Sequence, residues 1–209
     1  MDKRYAIFDM DGTLVDSMVL WKNLASEFLK SKGVTQIPEN ILKKIKVMTM
    51  TESAALFVRE FQLEGSPEQV AEEMNAMMDQ HYQKDIPLKN GVQDYLEQLH
   101  RAGTVMCVAS ATAEPLMEAC LKRLGVAHHF QFLLSCETVG AGKSKPDVYF
   151  ASAECMGASP GEVAVYEDAL YAARTAKEAG FYIVGVYDDS ASGNWEELKV
   201  LSDEWIKEW

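Results

Sequence analysis

Five short apolar runs, rich in β-branched and aromatic side chains, punctuate the chain at residues 5–8, 105–109, 130–134, 163–166 and 183–187. Runs of this length between turn signals read as buried strands. Between them the pattern changes period. Val92, Tyr95, Leu96 and Leu99 fall at i, i+3, i+4 and i+7, the spacing of one helix face, and Gly103 follows as a stop. Similar helical stretches at 115–124, 148–156 and 170–179 run into Gly125, Gly157 and Gly180. Strands alternating with helices predict an α/β fold, a Rossmann-like parallel sheet with helices on both faces.

The segment 16–85 breaks that rhythm. It reads as four helices, near 20–32, 39–47, 52–61 and 67–82, with no strand among them. About seventy helical residues are too many for one crossover. We therefore expect an inserted helical cap over 16–85 and a core domain built from 1–15 and 86–209. Met74, Met77 and Met78 share a helix face and are expected to pack in its core.

Composition narrows the function. With 32 acidic against 20 basic residues, the net charge of -12 argues against a nucleic-acid partner, whose phosphates this surface would repel. A phosphate site here needs local cations or a metal. No apolar stretch approaches the roughly 18 residues of a membrane span. The first apolar run is too short for a signal peptide. A cytoplasmic monomer is expected. Cys107, Cys120, Cys136 and Cys155 form no C-x-x-C pair and are expected to be reduced. The histidines show no metal-ligand spacing, and His128-His129 read as a loop leading into a strand.

Ligands of a parallel α/β sheet bind at the carboxyl ends of its strands, so acidic residues there carry the first chemical interest. The first strand runs into Asp9-Met10-Asp11-Gly12-Thr13, and alternation puts both aspartates on one side. Two carboxylates so close suit either a bound cation or one carboxyl kept protonated, although surface turns and calcium loops use the same pattern. The fourth run stops at Glu167-Asp168, which suits either a hard cation such as Mg²⁺ or a cap on the following helix. Ser110 and Ala111 follow the second run, where a hydroxyl and N–H groups can meet phosphate oxygens or cap a helix. After the third comes Gly140-Ala141-Gly142-Lys143-Ser144-Lys145-Pro146-Asp147, which offers a lysine to a phosphate or to solvent.

Taken in order, these segments resemble the haloacid dehalogenase superfamily, in its phosphatase branch with a small helical cap. Asp9-Met10-Asp11-Gly12-Thr13-Leu14-Val15-Asp16-Ser17 is very close to that family's first motif, and the likeness covers essentially the whole chain. The resemblance implies Asp9 as nucleophile, forming an aspartyl phosphate, and Asp11 as general acid and then base. It implies Ser110 and Lys143 as phosphate contacts, Lys143 being chosen over Lys145 by its spacing to Asp147. It also implies Mg²⁺ held by Asp9, the backbone carbonyl of Asp11, and Asp168 with Glu167. The substrate is then a small phosphorylated metabolite, sugar phosphates among the candidates.

Three departures matter. Ala169 and Ala172 replace a serine and a glycine of the fourth motif, and Ser144 replaces a proline of the third. Trp21 stands where the β-phosphoglucomutases have a histidine, and is expected to anchor the first cap helix. That change favours hydrolysis over the alternative, a phosphohexomutase. A phospho-accepting receiver domain is a weaker alternative, since receivers are shorter and lack the insertion. Lys46, Met48, Thr49 and Arg59 of the cap give no readable substrate code.

Overall fold

The structure, a computed structural model, describes residues 3–45 and 48–209, so Lys46 and Val47 lie outside the described residues. The chain runs β1 (Tyr5–Phe8), α1 (Met18–Ser31), α2 (Glu39–Ile45), α3 (Met50–Phe61), α4 (Pro67–Lys84), α5 (Val92–Arg101), β2 (Val105–Ser110) and α6 (Glu114–Arg123). It continues through β3 (Phe130–Ser135), α7 (Cys136–Val139), α8 (Asp147–Met156), β4 (Val163–Glu167), α9 (Leu170–Glu178), β5 (Tyr182–Val186), α10 (Trp195–Leu201) and β6 (Glu204–Ile206). The expected α/β class is what the chain adopts.

The strands form one six-stranded sheet in the order β3-β2-β1-β4-β5-β6, every pair parallel. The strand order reverses between β1 and β4, so a crevice is expected where those strands end. Alternation along β1 splits its side chains between two apolar layers. Ala6 and Phe8 join a cluster that continues into α1, α3 and α4, whereas Ile7 packs with Val148, Val165 and Ile183 on the other face. Phe8 stacks on Tyr166 of β4 at 4.1 Å between ring centroids, which locks the two central strands side by side.

The helical segment between β1 and α5 starts and stops for local reasons. Thr49 and Ser66 each form a capping box, with Glu52 and Gln69 respectively. Thr49 is thus occupied as a cap, and Arg59 donates to the neighbouring Glu60. Met74 and Met78 are buried in the apolar cluster and Met77 lies at its margin. The two connections to the sheet run side by side, with the Asp16 N–H donating to the Pro87 carbonyl and the Lys89 N–H to the Leu14 carbonyl, 3.0 and 2.9 Å. A separate contact ties α3 to α7, which follows the outermost strand β3. The Thr51 N–H and hydroxyl donate to the two carboxylate oxygens of Glu137 at 3.0 and 2.9 Å.

The cysteines are free thiols, Cys107, Cys120 and Cys136 buried and Cys155 exposed. No helix is long and apolar enough to cross a membrane among the described residues. β6 departs from the sequence reading. With three residues and a charge at its start, it carries no apolar run to announce it.

Candidate active site

Register assembles the site. Phe8 pairs with Tyr166, so the residues that follow, Asp9 and Glu167, emerge side by side, and the Asp9 N–H donates to the Tyr166 carbonyl at 3.0 Å. Asp168 comes next. Carboxylate oxygens of Asp9, Glu167 and Asp168 lie within 4.8 Å of one another, and all three residues are buried. Gly12 makes room for this cluster. Its φ of +87° suits glycine, and a Cβ there would sit 2.5 Å from Asp168 Oδ2.

Buried like charges at this distance need a cation. Lys143 supplies one from the loop between α7 and α8, donating to Asp9 Oδ1 and, at 2.5 Å, to Glu167 Oε1. Tyr149 O–H also donates to Glu167 Oε1, at 2.9 Å. Lys145 is exposed. Burial lowers the Lys143 ammonium, but Asp9 and Glu167 outweigh it and hold the group well above the ordinary lysine value. One ammonium does not neutralise three carboxylates. Burial first, with Glu167 and Asp11 adding to it against Lys143, pushes Asp9 up to about 7. Burial, then Asp9, Glu167 and Asp188, raises Asp168 well above the ordinary carboxylate range. An oxygen-only, over-acidic cluster of this kind fits a hard divalent cation such as Mg²⁺.

The other polar groups of the sequence reading also reach this edge. Ser110 ends β2, and its Oγ accepts the Thr112 N–H at 3.1 Å, so it closes a local turn; Ala113 is the N-cap of α6. Ala111 is half-buried between them. Asp168 does not cap α9, whose N-cap is Ala169; it accepts from the Thr13 hydroxyl at 3.1 Å instead.

Asp11 points to a different set of partners. Its Oδ1 accepts from Ser17 Oγ at 2.5 Å, Tyr82 O–H at 2.6 Å and Trp21 Nε1–H at 2.9 Å, and its Oδ2 from the Thr112 hydroxyl at 2.6 Å. Trp21 is therefore more than an apolar anchor: its ring packs at the margin of the core while its N–H meets Asp11 and, at 2.6 Å, the Tyr82 oxygen. Burial, followed by the Asp11 charge, holds the Tyr82 phenol well above its ordinary value, so it remains a donor. Sequence reasoning missed Tyr82, Thr112, Thr13 and Tyr149. Tyr82 continues the buried stripe Val70, Met74, Met78 and so reads as core. Asp188, which adds to the charge felt by Asp168, was missed too. It forms a buried ion pair with Lys89 at 2.8 Å.

The chain is thus an α/β protein with a parallel sheet that gathers an acidic cluster and a buried lysine at its switch point. The chain belongs to the haloacid dehalogenase-like hydrolase family, whose sequence model matches residues 6–186. It is 28% identical to hexitol phosphatase A of Escherichia coli over 184 residues, covering 86% of this chain and 81% of that protein. It is likewise 28% identical to the fructose-1-phosphate phosphatase YqaB of Escherichia coli over 204 residues, covering 89% and 98%. The fold is similar to that of CbbY from Rhodobacter sphaeroides in complex with phosphate, with a TM-score of 0.81, 21% identity, and coverage of 99% of this chain and 94% of the other.

Proposed function

We propose that the chain is a phosphatase that hydrolyses a small phosphorylated metabolite, a sugar or sugar-alcohol phosphate by the company of its relatives, through a phosphoryl group carried on Asp9. The observation that carries this reading is the meeting of Asp9, Glu167, Asp168 and Lys143 at the switch point. Asp9, the Asp11 carbonyl, Asp168 and Glu167 would hold Mg²⁺, which when bound neutralises the repulsion between carboxylate and phosphate.

A carboxylate oxygen of Asp9 attacks phosphorus, the ester P–O bond breaks, and the departing oxygen takes a proton from Asp11. Asp11 then accepts a proton from a water that attacks the same phosphorus, releasing inorganic phosphate and restoring the Asp9 carboxylate. One group serves as acid and then base because the two displacements are consecutive. Lys143, and the Ser110 hydroxyl with the Ala111 N–H, would face the phosphoryl oxygens, where charge spreads during transfer.

Residues 16–85 act as a cap in this reading, joined to the core by the paired connections at 14–16 and 87–89. Trp21, with one N–H donor and no basic nitrogen, offers no base at that position, which favours transfer to water over return to a second sugar hydroxyl. The test is turnover of an aryl phosphate and a panel of sugar phosphates with Mg²⁺. Asp9→Asn is expected to lose activity while keeping its circular dichroism spectrum. Wild-type rates in that variant would rule out the covalent route. Conversion of β-glucose 1-phosphate to glucose 6-phosphate faster than phosphate release, with a bisphosphate primer present, would identify a mutase instead.

A further inference from the structure

The histidine pair that looked featureless in sequence acquires company in the fold. Glu97 and His100 lie on one face of α5, at i and i+3, and the short helical turn Ala127–His129 brings His128 and His129 against them. Ligand-capable atoms of Glu97, His128 and His129 lie within 4.8 Å of one another. His129 Nε2 is 3.9 Å from Glu97 Oε2, its ring is 4.0 Å from that of His128 and 5.4 Å from that of His100, centroid to centroid. The group stands where β3 begins, at the opposite end of the sheet from Asp9.

We propose that Glu97, His128 and His129 form a second metal site, for a borderline divalent transition ion of the zinc type. Two imidazoles and one carboxylate are a donor set that zinc accepts, with a further position left for water or for His100. Nitrogen donors make it a poor site for Mg²⁺, so the two ends of the sheet would select different ions. Bonds of about 2.0–2.1 Å in a tetrahedron put ligand atoms roughly 3.3 Å apart, about half an ångström closer than His129 and Glu97 now stand. Glu97 is half-buried and His128 exposed, so both side chains have room to make that adjustment.

Three further features favour a ligand. His129 is buried to 6% exposure and turns its Nε2 toward Glu97 Oε2, so one donor is held in place before an ion arrives. Burial, followed by the charge of His128, lowers the basicity of His129 against the pull of Glu97, which favours the neutral ring that binds metals. Arg101 takes only Glu97 Oε1, at 2.8 Å, and leaves Oε2 facing the histidines. An ion there would pin the outermost strand β3 to α5.

The experiment uses the full chain without a histidine tag, dialysed against micromolar zinc with excess Mg²⁺ to occupy the acidic cluster. Wild type is expected to retain one zinc per chain, to melt at higher temperature with zinc, and to show shifted imidazole nitrogen resonances for His128 and His129. His128→Ala and Glu97→Gln, both at accessible positions, are expected to bind zinc at least about tenfold more weakly and to lose the melting shift, with aryl phosphate turnover unchanged. Failure of wild type to retain zinc overturns the proposal. So does undiminished zinc binding by the two variants. Neither outcome depends on the phosphatase reading.

Discussion

The Tyr82 phenol donates to Oδ1 of Asp11 at 2.6 Å, joining residues 71 apart in sequence. Tyr82 is fully buried at the end of α4, and it completes a set of three donors on one oxygen. The set holds the aspartate in one orientation while its other oxygen accepts from the rotatable hydroxyl of Thr112, at 2.6 Å.

Tyr82→Phe keeps the ring and removes the donor. A hydrogen bond to a charged group contributes about 1.5–3 kcal/mol, which corresponds to roughly 10–100-fold in rate if it is needed in the transition state. We expect that loss for alkyl and sugar phosphates, and a clearly smaller one for p-nitrophenyl phosphate, whose leaving group needs little protonation. Equal losses across leaving groups would show that Tyr82 supports the fold and not the acid.

Lys143 and Lys145 differ in burial more than in chemistry. Lys143→Met strands Asp9 and Glu167 together without their cation, a loss of about 3–5 kcal/mol when a buried pair is broken. We expect turnover to fall by at least about a hundredfold, while Lys145→Ala stays within about twofold of wild type, since exposed lysines contribute little. Steady-state assays of both variants decide the assignment, and a larger defect at Lys145 would reverse it.

Removal of Mg²⁺ by a chelator is expected to abolish turnover and also to lower the melting temperature, because an ion that binds only the folded cluster stabilises it by mass action. At a hundred times its dissociation constant the gain is about 2.7 kcal/mol. Gly12→Ala pushes a methyl group toward Asp168 Oδ2 and forces an unfavourable positive φ. That variant should need more Mg²⁺ for half-maximal activity in a metal titration. An unchanged requirement would argue that Asp168 is not a ligand.

Asp188 offers a test by pH. Burial alone would raise its carboxyl, but hydrogen bonds from Lys89 and Ser190 outweigh burial and hold it below the ordinary range. A depressed folded value means stability that is fully present above the unfolded value of about 3.9 and is lost as pH falls through the folded one. Asp188→Asn should therefore be less stable than wild type near neutrality, because the Lys89 ammonium loses its charged partner and keeps only the Tyr187 carbonyl. Urea titrations should show that gap closing as pH falls below the ordinary carboxylate range. A gap that persists in acid would locate the effect in packing.

The sequence displayed the parts of this protein that follow from period and strand ends. β1, β2 and β4 were legible as apolar runs, and register then brought Asp9 beside Glu167 and Asp168 with no further information. The surroundings of Asp11 were not legible, because Trp21, Tyr82 and Thr112 sit on three separate elements and each carries a ring or methyl that satisfies an apolar pattern. β6 was hidden by its brevity. The Glu97–His128–His129 group was hidden for another reason: its members come from a helix and a loop that meet only once β2 and β3 are paired.

The origin of the donors around Asp11 has a consequence for inheritance. Ser17, Trp21 and Tyr82 lie within residues 16–85 and their acceptor lies outside them. A graft of that stretch from a relative, made to import a new substrate range, would also replace the side chains that orient Asp11, the proton donor we propose. In the proposed reading, substrate choice and proton delivery would travel together on one segment, and a graft would keep both working only where it supplies equivalent donors to Asp11.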